Sequence, residues 1–194
     1  MLFRSHSNIT KLILGNVRMT SRRSQLVQRE DINTRTYSCS SGAIAVALTA
    51  TDIFTITGNA TTTVFVTKVT VGGTQTTGGM ALVKLIKRST ANSAGTSTAG
   101  VNVPHDSSDA AASATTLVYT ANPTTGSVVG TIRSQSVAFS AAAGTTNNVQ
   151  TFELGDKGRP VTLRGTAQVL AVNLNGVTVT GGSLNIDIEW VKLF

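Results

Sequence analysis

Short segments in which apolar and polar side chains alternate make up most of the chain after residue 43. In the last segment, "SLNIDIEWVKLF", every second residue from Leu184 to Trp190 is apolar, as in a strand with one buried face. About eight such segments follow one another, and none has the 3.6-residue period of a long helix. The pattern predicts an all-β, jelly-roll-like two-sheet sandwich over residues 43–194.

Glycine-rich turns separate several of these segments. "GGTQTTGG" at 72–79 lies between two of them, while Asn175–Gly176 and Gly181–Gly182 interrupt the C-terminal part of the chain. Because glycine adopts positive φ at little cost, these turns predict β-hairpins. None has the Gly-Lys-Ser/Thr ending of a phosphate-binding loop.

The composition supports the β assignment. Charged residues are 13% of the chain and aromatic residues 5%, and long stretches consist of Thr, Ser, Ala, Gly and Val. Thr and Val favour pleated surfaces, while Gly and Ser favour turns. A chain of 194 residues is long enough for one domain with its own core, so we expect a single β domain with an appendage.

That appendage is basic. Residues 1–40 contain seven basic residues against Glu30 and Asp31, a net charge of +5 out of +7 for the whole chain. We name residues 1–42 the basic arm and expect the β domain to fold without residues 1–40. The candidate contact residues of the arm are Arg4, Lys11, Arg18, Arg22, Arg23, Arg29 and Arg35.

Three roles fit the basic arm. It has few large apolar residues, so a fixed position requires a partner surface, and arms of this kind lie across neighbouring subunits in protein shells. Its cations also suit phosphate contacts, but they are scattered, and only Phe3 and Tyr37 offer rings for stacking on bases. A tail without importance for function is the third alternative, and the composition is also similar to that of a mitochondrial presequence. Docking on protein is the favoured interpretation, and nucleic acid is a less favoured partner.

Common catalytic and metal sites are not evident in the sequence. The single cysteine, Cys39, cannot form an internal disulfide or a zinc site alone, and nothing places His6 or His105 beside it as a base. We therefore predict no enzyme activity, no metal and no cofactor. No apolar run reaches 18 residues, so we expect no membrane span. The acids among the strands are Glu153, Asp156, Asp187 and Glu189.

One stretch, "VPHDSSD" at 103–109, combines a histidine with two carboxylates inside a long connection at 89–114. Asp106 and the serines after it are suited to capping a turn, and we expect a short helix through "DAAASA" with Asp109 near its N-terminus. A metal bridge between subunits is the weaker alternative, because it needs further oriented ligands. Long connections also carry binding functions, so 89–114 is a second candidate surface.

Four segments resemble a family of small β-rich proteins encoded widely among tailed bacteriophages. The segments are "VTVGGTQTTGGMALVKLIKRSTANSAGTSTA", "VPHDSSDAAASAT", "YTANPTTGSVVGTIRS" and "LRGTAQVLAVNLNGVTVTGGSLNIDIEW". The resemblance covers roughly residues 50–190 and excludes the basic arm. It implies a structural protein of the virion and supplies no catalytic motif.

Within that class, size and composition are similar to those of jelly-roll capsid decoration, or cement, proteins. The resemblance implies a homotrimer on the capsid exterior that contacts the major capsid protein and stabilises the head shell. This assignment is by analogy of fold. The alternative is another virion structural protein, in the neck, tail or head fibre, with a receptor- or glycan-binding role.

Overall fold

The computed structural model describes residues 35–47, 49–141, 149–155 and 159–193. Within these ranges the chain forms twelve strands and no helix, which confirms the predicted all-β class. The strands are β1 (Arg35–Ser40), β2 (Ala50–Thr57), β3 (Thr63–Gln75), β4 (Gly79–Arg88), β5 (Ser97–Ala99), β6 (Asn102–Pro104), β7 (Thr115–Tyr119), β8 (Val128–Ala141), β9 (Gln150–Glu153), β10 (Val161–Leu163), β11 (Val169–Val177) and β12 (Ser183–Leu193).

All twelve strands belong to one mixed, curled sheet. The order along it is β5-β7-β2-β11-β4-β8-β3-β12-β1-β6, and β9 and β10 also pair with β3. We call the strands from β5 to β8 in this order the first half and the others the second half. The halves meet where Thr74 and Gln75 of β3 pair with Ser140 and Ala141 of β8, the one parallel pairing among the described strands.

No two strands that follow each other in the described chain pair with each other. The predicted hairpins are therefore wrong. The turn after β3 carries the chain from the second half to β4 in the first, and the turn at Gly181–Gly182 carries it from β11 back to β12. Positive φ occurs at Gly181, in the turn before β12, and at Asn175 and Gly176, which lie at an irregularity inside β11 and not in a turn between strands.

The core lies between the two halves. Buried apolar side chains from both halves form one cluster, so the inner faces of the curled sheet pack against each other. The predicted alternation is observed in β12, where Leu184, Ile186, Ile188 and Trp190 are buried. The largest fully buried side chains include Trp190, Tyr37, Phe54 and Phe139.

One side of the curled sheet is closed by a short link. The strands at the two ends of the pairing order, β5 and β6, are separated in sequence only by Gly100 and Val101. Gly100 donates its N–H to the carbonyl of Thr116 in β7. The Thr116 hydroxyl lies 2.7 Å from Asn102 Oδ1 and 3.4 Å from Cys39 Sγ. The connection at 89–114 thus contributes strands that join both halves.

The second half begins earlier in the chain than the sequence indicated. Arg35–Ser40, which we assigned to the basic arm, form β1 between β12 and β6. Tyr37 and Cys39 on this strand are buried in the core. Two apolar residues among polar ones are too short a pattern to reveal a strand, which is why the apolar alternation after residue 43 suggested a later start.

The first half contains a buried ion pair. Arg88 of β4 donates from Nε and Nη2 to the two carboxylate oxygens of Asp52 in β2, at 2.7 and 2.8 Å. Asn92 and Asn173 donate to the same carboxylate, at 2.8 and 2.6 Å. The third guanidinium nitrogen, Nη1, donates to the carbonyl of Gly126. Every nitrogen of the guanidinium group and both oxygens of the carboxylate therefore have a hydrogen-bond partner, as burial of an ion pair requires.

Asp52→Ala is expected to lower the free energy of unfolding by about 3–5 kcal/mol, because it leaves the Arg88 charge buried without its partner. The measurement is denaturant unfolding followed through Trp190 fluorescence. The control, Glu189→Gln, removes the partner of Lys68 in an exposed ion pair and should cost at most about 1 kcal/mol. Equal losses in the two variants would contradict a structural role for the buried pair.

Gly100→Ala tests the close approach at the link. An added Cβ would lie 2.5 Å from both Cys39 Sγ and Thr116 Oγ1, so we expect a loss of about 1–3 kcal/mol from overpacking. Gly130→Ala is the control, since its Cβ would meet nothing within 4 Å, and it should change stability by less than about 1 kcal/mol. Thermal unfolding of both variants measures the difference, and a neutral Gly100→Ala would refute tight packing at the link.

Candidate functional site at the root of the basic arm

The structure places one of the predicted contact residues. Arg35 begins β1, at the point where the basic arm enters the sheet. The other six lie outside the described residues: Arg4, Lys11, Arg18, Arg22, Arg23 and Arg29. The candidate site that can be described is therefore the root of the arm, which we define as β1 and the side chains that hold it.

Backbone pairing fixes β1 on both edges. Along its whole length it pairs antiparallel with β12, from Arg35 opposite Lys192 to Ser40 opposite Asp187. On the other edge, Tyr37 to Cys39 pair with Pro104 to Asn102 of β6. The N–H of His105 extends this ladder by donating to the carbonyl of Thr36. A strand with partners on both edges is held by many hydrogen bonds at once.

Tyr37 adds the largest side-chain contact at the root. Its ring stacks on Trp190 of β12 with 5.9 Å between centroids and 17° between planes. Offset aromatic pairs at this separation contribute about 0.5–1.5 kcal/mol beyond the area that they bury. The Tyr37 hydroxyl donates to the carbonyl of Ala110 at 2.9 Å, so the same side chain also fastens the loop after β6.

That loop contains residues 105–109 of the "VPHDSSD" stretch. Asp106 Oδ1 accepts hydrogen bonds from the backbone N–H and the hydroxyl of Ser108, at 2.8 and 2.7 Å. The predicted capping role of Asp106 is thus observed in a turn, but the short helix predicted to follow it is absent from the described structure. Asp109 instead pairs with Arg35, with 2.8 Å between Oδ1 and Nε. We call the contacts of Arg35 and Tyr37 with this loop the clasp.

The electrostatics of the clasp are those of a surface site. The Arg35 and Asp109 side chains are 35% and 17% exposed, so their attraction is screened by solvent and salt. The pKa of Asp106 is lowered, first by the backbone N–H of Ser108 and then by its hydroxyl, because both stabilise the carboxylate. His105 is exposed, and its side chain is not used by the turn.

Cys39 lies on the buried side of the root. Burial raises the pKa of its thiol, and the nearby Asp187 acts in the same direction, while the hydrogen bond with Thr116 opposes them. A raised pKa keeps the thiol protonated near neutral pH, and a buried, protonated thiol is a poor nucleophile. The geometry therefore gives Cys39 a packing role.

Of the four acids noted in the sequence, Glu153, Asp187 and Glu189 face away from the core, and Asp156 lies outside the described residues. Asp187 and Glu189 lie on the outer face of β12, and Glu189 bonds Lys68 of β3. This hydrogen bond raises the pKa of Lys68, and the charges of Glu153 and Asp187 add to the effect. The arrangement is a charged, partly exposed sheet face.

Metal and membrane sites were also sought in the described part of the chain. No cluster of three or more His, Cys, Asp or Glu side chains there could hold a metal ion. No helix among the described residues is long and apolar enough to cross a bilayer.

The backbone bonds to β12 and β6 hold β1 on both edges, so the position at which the chain of the arm enters the sheet is fixed. Sequence reasoning missed this site because the residues that meet here, Arg35 with Asp109 and Tyr37 with Ala110, are far apart in the chain. The charge of Arg35 and the acid of Asp109 were each noted, but nothing local pairs them.

Comparison of the chain with protein-family models, with curated proteins and with solved structures gave no match.

Ser108→Ala is expected to raise the pKa of Asp106 part of the way toward its ordinary value of 3.8, because it removes the hydroxyl donor and keeps the backbone donor. The stabilisation by this turn is present above the unfolded-state pKa and is lost as pH falls through the lower folded-state pKa. Carbon-detected NMR titration of the carboxyl group measures the shift. Ser107→Ala is the control and should leave it in place. An unchanged pKa in Ser108→Ala would contradict the capping geometry.

Proposed function

We propose that the protein is a bacteriophage capsid decoration protein that stabilises the head shell without catalysis. The observation that carries the proposal is the construction of the arm root: a basic segment leads directly into β1, which is held on both edges and stacked against the core. A bridging protein needs such a junction between a contact segment and a rigid body. The resemblance to tailed-phage proteins supplies the class of particle.

The strand order supports a jelly-roll fold. Leaving aside the short strands of 97–119 and β10, eight strands remain. Numbered in chain order, they pair as 1-8-3-6 (β1, β12, β3, β9) and 2-7-4-5 (β2, β11, β4, β8). This is the order of the two sheets of a jelly roll, in which most connections cross from one sheet to the other. The segment with β5, β6 and β7 is then an insertion between the fourth and fifth strands.

Jelly rolls are common in virus capsid proteins and also in lectins, so a jelly-roll fold alone does not identify the function. On the capsid exterior, a homotrimer would present three basic arms to the major capsid protein. Each contact could be weak, because several linked contacts give a large combined affinity. Attraction between the arms and acidic capsid surfaces would add a salt-dependent part.

The alternative is a neck, tail or head-fibre protein with a receptor- or glycan-binding surface at 89–114. One observation favours it: Val101 and Val103 of this segment are 76% and 51% exposed. The segment contains no aromatic residue on which a sugar ring could stack. The same segment also forms the link between β5 and β6 and contacts the arm root through Asp109 and Ala110. Decoration therefore remains the better supported function.

Two deletions separate the basic arm from its root. Removal of residues 1–34 keeps β1 and should leave a folded domain that binds particles more weakly and with a smaller salt dependence than the full chain. Removal of residues 1–40 also takes Tyr37 and Cys39 from the core and should cost more than about 3 kcal/mol, comparable with a large truncation in a core. This replaces our expectation that the domain folds without residues 1–40.

Binding is measured by sedimentation of each variant with purified particles that lack this protein, across a series of salt concentrations. Folding is measured by the emission maximum of Trp190, the single tryptophan. Because Trp190 is buried, its emission reports whether each deletion variant is folded. A folded variant without residues 1–34 that decorates particles as tightly as the full chain would contradict an attachment role for the arm.

A further inference from the structure

The first nine residues of β8, Val128–Ser136, form the most exposed long strand segment of the described chain. Seven of the nine side chains are exposed, and Val128 and Val129 are 60% and 62% exposed. We call this segment the open edge. It is held on one side by β4, whereas the pairing of β8 with β3 begins only at Ser140.

The other side of the open edge has no strand partner in the described structure. β3 uses its corresponding edge to pair with β10 at Val64–Val66 and with β9 at Lys68–Val71, so it meets β8 only at Thr74 and Gln75. The two halves of the sheet separate there. At alternate residues of the open edge, the backbone N–H and C=O groups therefore point away from β4, to a side on which the described structure has no strand that pairs with them.

Proteins usually protect such edges. Lysine, proline, a β-bulge, a covering loop or a very short strand prevents pairing with another chain. The open edge has nine residues, no proline and a single charge, Arg133. Irregularities in its register against β4 lie between Val128 and Arg133, so the part from Arg133 to Ser136 is regular. This regular part keeps the geometry that accepts a strand.

From this geometry we infer that the open edge pairs with the open edge of a second copy, antiparallel and about a two-fold axis. A strand edge matches its own copy under this symmetry, since each donor faces an acceptor of the partner. The near absence of charge favours a partner that is equally uncharged. The axis must pass through a residue that pairs with its own copy, because adjacent residues of a strand point to opposite faces of the sheet. An axis at Arg133 would place two guanidinium groups opposite each other, which is unfavourable, so we place it at Ser134.

The contact is expected to be weak in solution. It is one strand wide, whereas standard interfaces bury about 1,200–2,000 Å², so its dissociation constant should exceed about 1 µM. High local concentration, as on a surface that carries many copies, would favour it. The inference does not rest on the proposed function, and a three-fold contact elsewhere is compatible with it, since the two-fold pair would then join trimers.

Disulfide cross-linking tests the contact in the full-length chain. Single cysteines replace Thr131, Arg133, Ser134, Gln135 or Ser136, with the native Cys39 kept because it is buried. Oxidation should give covalent dimers mainly with Ser134→Cys, since a disulfide requires Cα atoms about 4.4–6.8 Å apart and only the residue on the axis lies that close to its own copy. Asn185→Cys, an exposed position on a strand paired on both edges, is the control.

A second variant, Ser134→Lys with Ser136→Lys, should abolish concentration-dependent dimers in analytical ultracentrifugation, because it places like charges across the axis. Asn185→Lys should leave them unchanged. Cross-linking that is equal at all positions, including residue 185, or a native protein that stays monomeric at all concentrations, would overturn the inference. An oligomer that persists in the double-lysine variant and gives no cross-link at residue 134 would overturn it as well.

Discussion

The pairing of β12 with β3 and β1 is the interaction on which the rest of the structure depends. β12 lies between strands from the start of the described chain and from its first third, and its apolar face supplies a continuous row of core residues that ends at Trp190. Since consecutive strands do not pair among the described residues, no part of the sheet is complete until distant segments meet. Such a topology predicts slow, cooperative folding.

The two sides of the curled sheet differ in a way that bears on function. On one side, the β5–β6 link and the contacts of Gly100 join the halves, and the clasp of Arg35, Tyr37 and Asp109 holds the arm root nearby in the second half. On the other side, the halves separate along β8. A basic arm and an open strand edge are both suited to contacts between molecules, which fits a component of a larger assembly.

Part of this architecture could be predicted from the sequence. Alternation in segments such as the one ending at Trp190 located strands, because a half-buried strand imposes a period of two on its side chains. Hairpins could not be predicted from glycine, because Gly181 supplies the same positive φ whether the next strand returns to its neighbour or crosses to the other half. The ion pair of Asp52 and Arg88 could not be predicted from the local sequence pattern either, because the two residues lie on strands that β11 separates.

The central claim, that the protein decorates a phage head, is tested most directly by its copy number in purified particles. Quantitative mass spectrometry against the major capsid protein should give a copy number on the order of hundreds, in a fixed ratio to the shell lattice, because decoration follows the symmetry of the shell. Three to about a dozen copies per particle would place the protein at the neck, tail or fibre, where a single symmetry axis sets the number. Either that number or the absence of the protein from particles would contradict the account.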